Sequence, residues 1–509
     1  MQVRLLGPVD VMADGGPRRA GHFTQRQGIL VLVSTPDAVV VGSGPNGLAA
    51  ALTLARAGLV VDVFEGAATP GGGCRTGELT LPGYHHDVCS AVHPLAAASP
   101  FFLRTDLAAR GVRLRAPKVA FAHPLDGGRA AAVFTSVDET ARGLGADAAA
   151  YRRLLSPLVR DAELTVPTIL SPLRSVPPHP AAMARYGLQG LLPTALLARR
   201  FITDEARALM AGAAAHSMLP LTAPLTSAFG LLLTMTAHRA GWPVVEGGSG
   251  RITAALVDEL VSLGGRVVTG QWIRSLRDLP PARTVLLDVS PGGLARLAGE
   301  RLPLRTRKAL QRFRHGPGVC KVDWALRGPV PWAAQACKDT ATVHIGGTLA
   351  EVARSESEVA AGRHPERPYC IVAQPGVVDP TRAPAGGQTL WGYCHVPAGS
   401  AVDMTERIEA QIERFAPGFR GLILARSTTT AAEVERSNPN YVGGDINGGL
   451  PNVRQTVFRP TMRWRPYRTG LPGVYLCSAS TPPGGGVHGM CGYNAARAAL
   501  ADMGLTAAD

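Results

Sequence analysis

The sequence predicts an α/β fold: a parallel sheet at the centre, a second, mixed sheet, and an apolar helical insertion. Three observations predict it. The wholly apolar run Ala38-Val39-Val40-Val41 reads as a central strand buried on both faces. A glycine turn and an alanine-rich helical stretch follow it and lead to a second strand-like run, residues 59–65. Near the other end, residues 473–478 form one more buried strand before a Gly-rich loop and a terminal helix.

Composition narrows the class. The 509 residues include 52 Lys+Arg against 38 Asp+Glu, a formal net charge of +14, with 46% hydrophobic and 18% charged residues. Such a chain fills a large core, so disordered, coiled-coil and collagen-like readings drop out. Its length fits about three structural units, or one large enzyme with an inserted region. The eight cysteines include no CxxC and no Cys/His cluster at zinc spacing, so they read as free thiols and no metal site is predicted. Arg18-Arg19 precede a short apolar run at 28–33, but Ser34-Thr35-Pro36-Asp37 stop it and no cleavage site follows. Residues 1–36 are read as a non-catalytic extension of unclear role.

Ordered structure is expected from Asp37, with a helix over 48–57 closed by Gly58. From 147 to 240 the pattern is helical and apolar, and no Asp, Glu, Lys or Arg occurs between Arg207 and Arg239. That length would span a bilayer. Pro220 and Pro224 interrupt it, however, and His216 lies within it, so packed helices lining an apolar cavity are expected, with shallow membrane contact as a secondary expectation. After Gly241-Trp242-Pro243 the α/β style resumes: a helix opens at Gly247-Gly248-Ser249-Gly250, and strands are expected at 266–268 and 271–273. Short runs such as 319–324 and 369–373 suggest a second sheet with long loops. The chain divides into the extension 1–36, a nucleotide-binding domain in three parts (37–146, 241–316 and 461–509), the helical insertion 147–240 and a sheet-containing substrate domain 317–460.

The motif Gly42-Ser43-Gly44-Pro45-Asn46-Gly47 has G-x-G-x-x-G spacing between a strand and a helix. The first glycine permits the tight turn, the second lets the backbone approach a pyrophosphate, and the third lets helix and sheet pack closely. The helix amino terminus offers N–H groups to the phosphates. Glu65, at the end of the second strand, is placed to accept hydrogen bonds from a ribose, and its charge disfavours a 2′-phosphate. FAD or NAD is therefore expected rather than NADP. The loop 70–75 follows, with Gly72, Gly73 and Arg75 beside the dinucleotide; Arg75 can clamp a pyrophosphate or a flavin edge. The loop 484–489 and the terminal helix can bring a second helix amino terminus near an isoalloxazine.

With Ala215-His216-Ser217-Met218-Leu219-Pro220, Gly241-Trp242-Pro243, the 321–326 run, Val343-His344-Ile345-Gly346-Gly347, Gly443-Gly444-Asp445-Ile446 and the closing glycines, the sequence resembles the phytoene desaturase-related FAD oxidoreductases. Within them it is most similar to the branch called pyridine nucleotide-disulfide oxidoreductase domain-containing protein 2, from about Asp37 to Leu500. The resemblance implies one FAD, a Rossmann-like FAD domain of glutathione-reductase-like type assembled from separated segments, and a substrate domain over the flavin. By position it implies backbone contacts from Ile273 near the adenine, and Gly486 and Val487 at the flavin. No His or Cys lies in a recognisable attachment motif, so the FAD is expected to be non-covalent. The paired cysteines of disulfide reductases are missing, since Cys74 and Cys89 stand far apart, and no second GxGxxG unit follows for a nicotinamide cofactor. The electron acceptor is left open.

His488, in the loop expected to meet the flavin, is the candidate proton acceptor, with capping of the terminal helix as its competing role. His216 and His344 read as pocket or core histidines, and Trp391 and Tyr393 as packing residues that can shape a substrate site. Two basic runs (Arg301, Arg305, Arg307, Lys308, Arg312, Arg314; and Arg454, Arg459, Arg463, Arg465, Arg468) read as solvated faces, and no nucleic-acid-binding fold accompanies them. The leading functional expectation is desaturation or other oxidation of a largely apolar small molecule by hydride transfer to flavin. A flavin-dependent isomerase and a FAD-stabilised regulatory or interaction protein are the alternatives. Composition points to a bacterial cytoplasm; the eukaryotic branch members imply the mitochondrial matrix.

Overall fold

A computed structural model of the chain describes residues 35–172 and 177–507, and the backbone of the antiparallel strands Phe23–Arg26 and Ile29–Leu32. Arg18-Arg19 lie outside the described residues. In chain order, the first strands of the two main sheets are β1 (Ala38–Val41), β2 (Val61–Phe64), β3 (Val119–Leu125), β4 (Arg129–Phe134), β5 (Arg266–Val268) and β6 (Thr284–Leu287). The rest are β7 (Gly318–Leu326), β8 (Thr342–Ile345), β9 (Cys370–Ala373), β10 (Gln388–Val396), β11 (Ile423–Thr429) and β12 (Val474–Leu476). Five helices matter most: α1 (Pro45–Arg56), α2 (Asp204–Ala215), α3 (Thr226–Ala240), α4 (Gly250–Ser262) and α5 (Met490–Asp502).

The first sheet is wholly parallel, in the order β5-β2-β1-β6-β12. β1 and β2 are buried along their whole length, as strands covered on both faces must be. Parallel neighbours need crossovers, and α1 supplies the one between β1 and β2. α1 also packs against α5, where Gly492 allows contact: a Cβ there would lie 1.8 Å from the Asn46 carbonyl oxygen. Segments from three distant parts of the chain thus form one layer.

The second sheet is mixed, in the order β11-β7-β10-β9-β8-β3-β4, antiparallel throughout except for β8 beside β3. Residues 119–134 therefore belong here, which corrects the expected 37–146 boundary. β3 is a fully buried run, and burial alone does not say which sheet a strand joins. A second correction concerns 271–273, which form no strand. After β5 the chain turns back instead, with Gly270 N–H on the Ala67 carbonyl and Gln271 N–H on the Glu65 carbonyl.

The charge-free insertion packs internally. Ala211, Ala214, Ala215 and Met218 share a core with Ile371, Trp391 and Tyr393 of the second sheet. Among the described residues no helix is long and apolar enough to cross a membrane. The two sheets are tied by a buried ion cluster: Arg382 donates to Asp379, to Asp87 and to the His85 carbonyl, at 2.8, 2.6 and 3.0 Å. Asp87 in turn accepts from Ser249 N–H and from the Ser249 and Thr76 hydroxyls.

Candidate cofactor cradle and substrate cavity

Gly42 leaves β1 at φ +95°, a conformation that L side chains rarely adopt. Gly47 is held more tightly still, because a Cβ there would lie 2.0 Å from the Gly42 carbonyl oxygen. α1 then begins at Pro45 with Gly44 as its N-cap; Gly47 N–H goes to Asp288 and Leu48 N–H to the Gly44 carbonyl, which leaves Asn46 N–H in the first turn for a ligand. Asn46 Oδ1 is buried with no hydrogen-bond partner. Gly72 packs on Gly44, bringing the second glycine loop against the first, and Arg75 is folded over that loop by a 2.7 Å bond to the Gly72 carbonyl. Gly73 makes room for Tyr441, whose hydroxyl would lie 2.1 Å from a Cβ.

Glu65 stands where the strand order places it, at the carboxyl end of β2 beside the fingerprint. Its Oε2 accepts from Ser43 N–H and Oγ–H at 2.9 and 2.6 Å, and Oε1 from Ala67 N–H at 2.8 Å. Trp272 lies against Gly66, and Ile273 is buried beside it. These residues line one end of a cavity of about 970 Å³. It runs past the fingerprint to Gly486, Val487 and His488, then continues between helix and sheet, where Met183, Leu191, Phe229, Leu232 and Leu233 face Ile371, Trp391 and Tyr393. The volume lies at the upper end of ligand sites in general.

Two residues at this cavity escaped the sequence reading. Asp288 follows β6, a strand the sequence reading did not identify, and its Oδ2 accepts from Gly47 N–H at 3.0 Å. Burial and then the nearby Glu65 raise its carboxyl to about 7, against the Gly47 hydrogen bond that lowers it. The usable signal was its place: like Glu65, it ends an apolar strand of the parallel sheet. Arg459 was read as part of a solvated basic run. It is instead 3% exposed and lines the cavity, which corrects that reading for this residue.

His488 is buried and its ring serves its own loop. Nδ1 accepts from Met490 N–H at 3.0 Å, and Nε2 lies 3.2 Å from the Gly484 carbonyl. Burial lowers its pKa to about 4, so it is neutral. The competing role, capping α5, is the one its contacts describe. His216 lines the cavity, and its Nε2 meets His344 Nε2 at 2.9 Å. Burial lowers the pKa of His216 to about 3 and holds His344 well below the usual imidazole range, so both rings stay uncharged. Trp391 and Tyr393 meet edge to face, with centroids 5.2 Å apart. Burial pushes the Cys74 thiol up to about 12 and raises Cys89, so neither is poised as a thiolate. Among the described residues no cluster of His, Cys, Asp or Glu is arranged to hold a metal ion.

The residues present fit a dinucleotide. The glycine cradle has no room for side chains, a carboxylate stands at the ribose position, and a long void leads away from the phosphate-binding turn. Residues 40–101 match the family model of the NAD(P)-binding Rossmann-like domain. Along almost its whole length the chain is similar to the rat pyridine nucleotide-disulfide oxidoreductase domain-containing protein 2, with 26% identity over 560 aligned positions covering 92% of this chain and 94% of that one. Among solved structures it shares the fold of an oxidoreductase from Methanosarcina mazei, with TM-score 0.60, 16% identity, and coverage of 91% of this chain and 99% of the other. It also shares the fold of cyclohexylamine oxidase from Brevibacterium oxydans, with TM-score 0.57, 15% identity, and coverage of 92% and 99%.

Proposed function

We propose that this chain is an FAD-dependent oxidoreductase that oxidises a largely apolar small molecule, by desaturation or dehydrogenation, over a non-covalently held FAD. The observation that carries this reading is continuity: one cavity joins the dinucleotide cradle to a chamber walled by Phe229, Leu232, Leu233 and Trp391. FAD, when bound, supplies a ring that accepts hydride. The chain's own residues do the rest. N–H groups at the start of α1 and the glycine loops hold the pyrophosphate, and Glu65 accepts from the ribose hydroxyls. The apolar walls favour a lipophilic ligand and exclude water from the contact. His216, uncharged and bonded through Nε2 to His344, offers its ring to that ligand as a hydrogen-bonding partner.

The test starts with the absorbance spectrum of the purified protein and the identity of the cofactor that heating releases, which should be FAD. Anaerobic mixing with a panel of lipophilic small molecules should then bleach the flavin band with at least one of them. Product formed without bleaching would establish isomerisation instead. A protein that neither carries nor takes up FAD would refute the reading.

A further inference from the structure

Arg459 is a buried guanidinium with no carboxylate hydrogen-bonded to it among the described residues. Its hydrogen bonds among the described residues go to backbone carbonyls: Nε to Ser480 at 3.3 Å, and Nη2 to Gly448 and Ala479 at 3.0 and 2.9 Å. The neighbouring carboxylate, Asp445, acts on it only through space, since its oxygens accept from Gly316 and Asn447 N–H. Carbonyl dipoles solvate a cation without neutralising it, and a buried cation is retained where an anion or developing negative charge will face it. The third nitrogen, Nη1, borders Gly484, where a Cβ would lie 2.8 Å from it, and Arg459 lines the cavity there. This is the end opposite Glu65 and Ile273. A dinucleotide with its pyrophosphate at Gly42–Gly47 and its adenosine toward Glu65 directs its redox ring this way.

We propose that Arg459, through Nη1, is the residue that stabilises negative charge arriving on the cofactor ring. The inference rests on the FAD reading above. A hydride brings two electrons and one proton into a neutral ring and leaves it with one negative charge, while the oxidised substrate releases its second proton to a base or to solvent. A fixed cation beside the ring favours that product over the neutral ring, which raises the reduction potential. The same charge favours addition of sulfite, in which an S–N bond forms and the displaced electron pair leaves the ring negative.

The experiment uses the FAD-loaded protein, with sulfite as the probe and the two-electron midpoint potential as a second readout. Wild type should bleach on titration with sulfite. Arg459→Gln should bind sulfite at least tenfold more weakly and show a potential lower by about 30 mV or more, the equivalent of that tenfold for two electrons. Arg459→Lys, which keeps the charge, should fall between the two. Failure of wild type to bleach at saturating sulfite would overturn the inference whether or not a variant folds. So would an Arg459→Gln protein that keeps its flavin with both values unchanged. A wild type that takes up no FAD would instead overturn the reading beneath it.

Discussion

Replacing Asp288 by Asn should remove a pH dependence that wild-type cofactor binding is expected to show. Asp288 shares the amino terminus of α1 with the phosphate site, accepting from Gly47 N–H at 3.0 Å, and its carboxyl is raised to about 7. A bound pyrophosphate brings more negative charge to that end of the helix and favours the protonated acid further. Binding above pH 7 therefore takes up a proton, and wild-type affinity should weaken as the pH rises above that value, approaching roughly tenfold per pH unit. Asn keeps an acceptor for Gly47 and carries no charge, so the variant's affinity should stay level. Stability follows the same sign. Between the ordinary value of 3.8 and about 7 the folded chain holds a proton that the unfolded chain has released, so stability falls as pH rises through that window. At about 1.4 kcal/mol per pKa unit the full effect is on the order of 4 kcal/mol. Asp288 is only half-buried and borders the cavity, which reduces the effect, so the apo Asn variant should gain about 1–3 kcal/mol above neutral pH and nothing in acid. Fluorescence titration with FAD across neutral and alkaline pH reads the first effect, and urea unfolding reads the second. A wild-type affinity that stays flat through the alkaline range, with an Asn variant no different, would refute the reasoning.

Three further outcomes follow from the geometry. Glu65→Ala removes a carboxylate that organises Ser43 and Ala67 and that the proposed reading assigns to the ribose; losing charge-assisted bonds worth roughly 1.5–3 kcal/mol should weaken FAD at least tenfold by equilibrium dialysis. Gly47→Ala and Gly44→Ala should separate folding from binding. The first drives a Cβ into the Gly42 carbonyl and should give little folded protein by circular dichroism, whereas the second meets only the Asp288 carboxylate tip and should fold while losing FAD. Arg382→Met leaves Asp87 and Asp379 buried without their cation and should lower stability by about 3–5 kcal/mol in chemical denaturation.

Much of this site was legible before any coordinates. The spacing Gly42-x-Gly44-x-x-Gly47 between an apolar strand and a helix describes a local object, and neighbouring residues determine it. Glu65 was legible for the same reason, one strand later. Asp288 and Arg459 were not, because their roles depend on which distant strand lies beside β1 and which loop closes over Gly484. A run of arginines looks the same in sequence whether its members meet water or the interior; only packing separates Arg459 from the exposed Arg465. The misplacement of 119–134 has a similar origin, since a fully buried strand carries no mark of its partner. The ring of His488 shows the converse: a residue in a suggestive loop can be occupied entirely by holding that loop together.

The parallel layer that holds β1 also contains β12 and rests on α5, elements drawn from nearly opposite ends of the polypeptide. During translation the fingerprint leaves the ribosome hundreds of residues before β12 and α5, which complete its layer. Until those segments emerge, the nascent protein carries an unfinished nucleotide pocket with the apolar edge of β6 exposed. Aggregation is favoured through that interval, and stable capture of the coenzyme follows the making of β12 and α5.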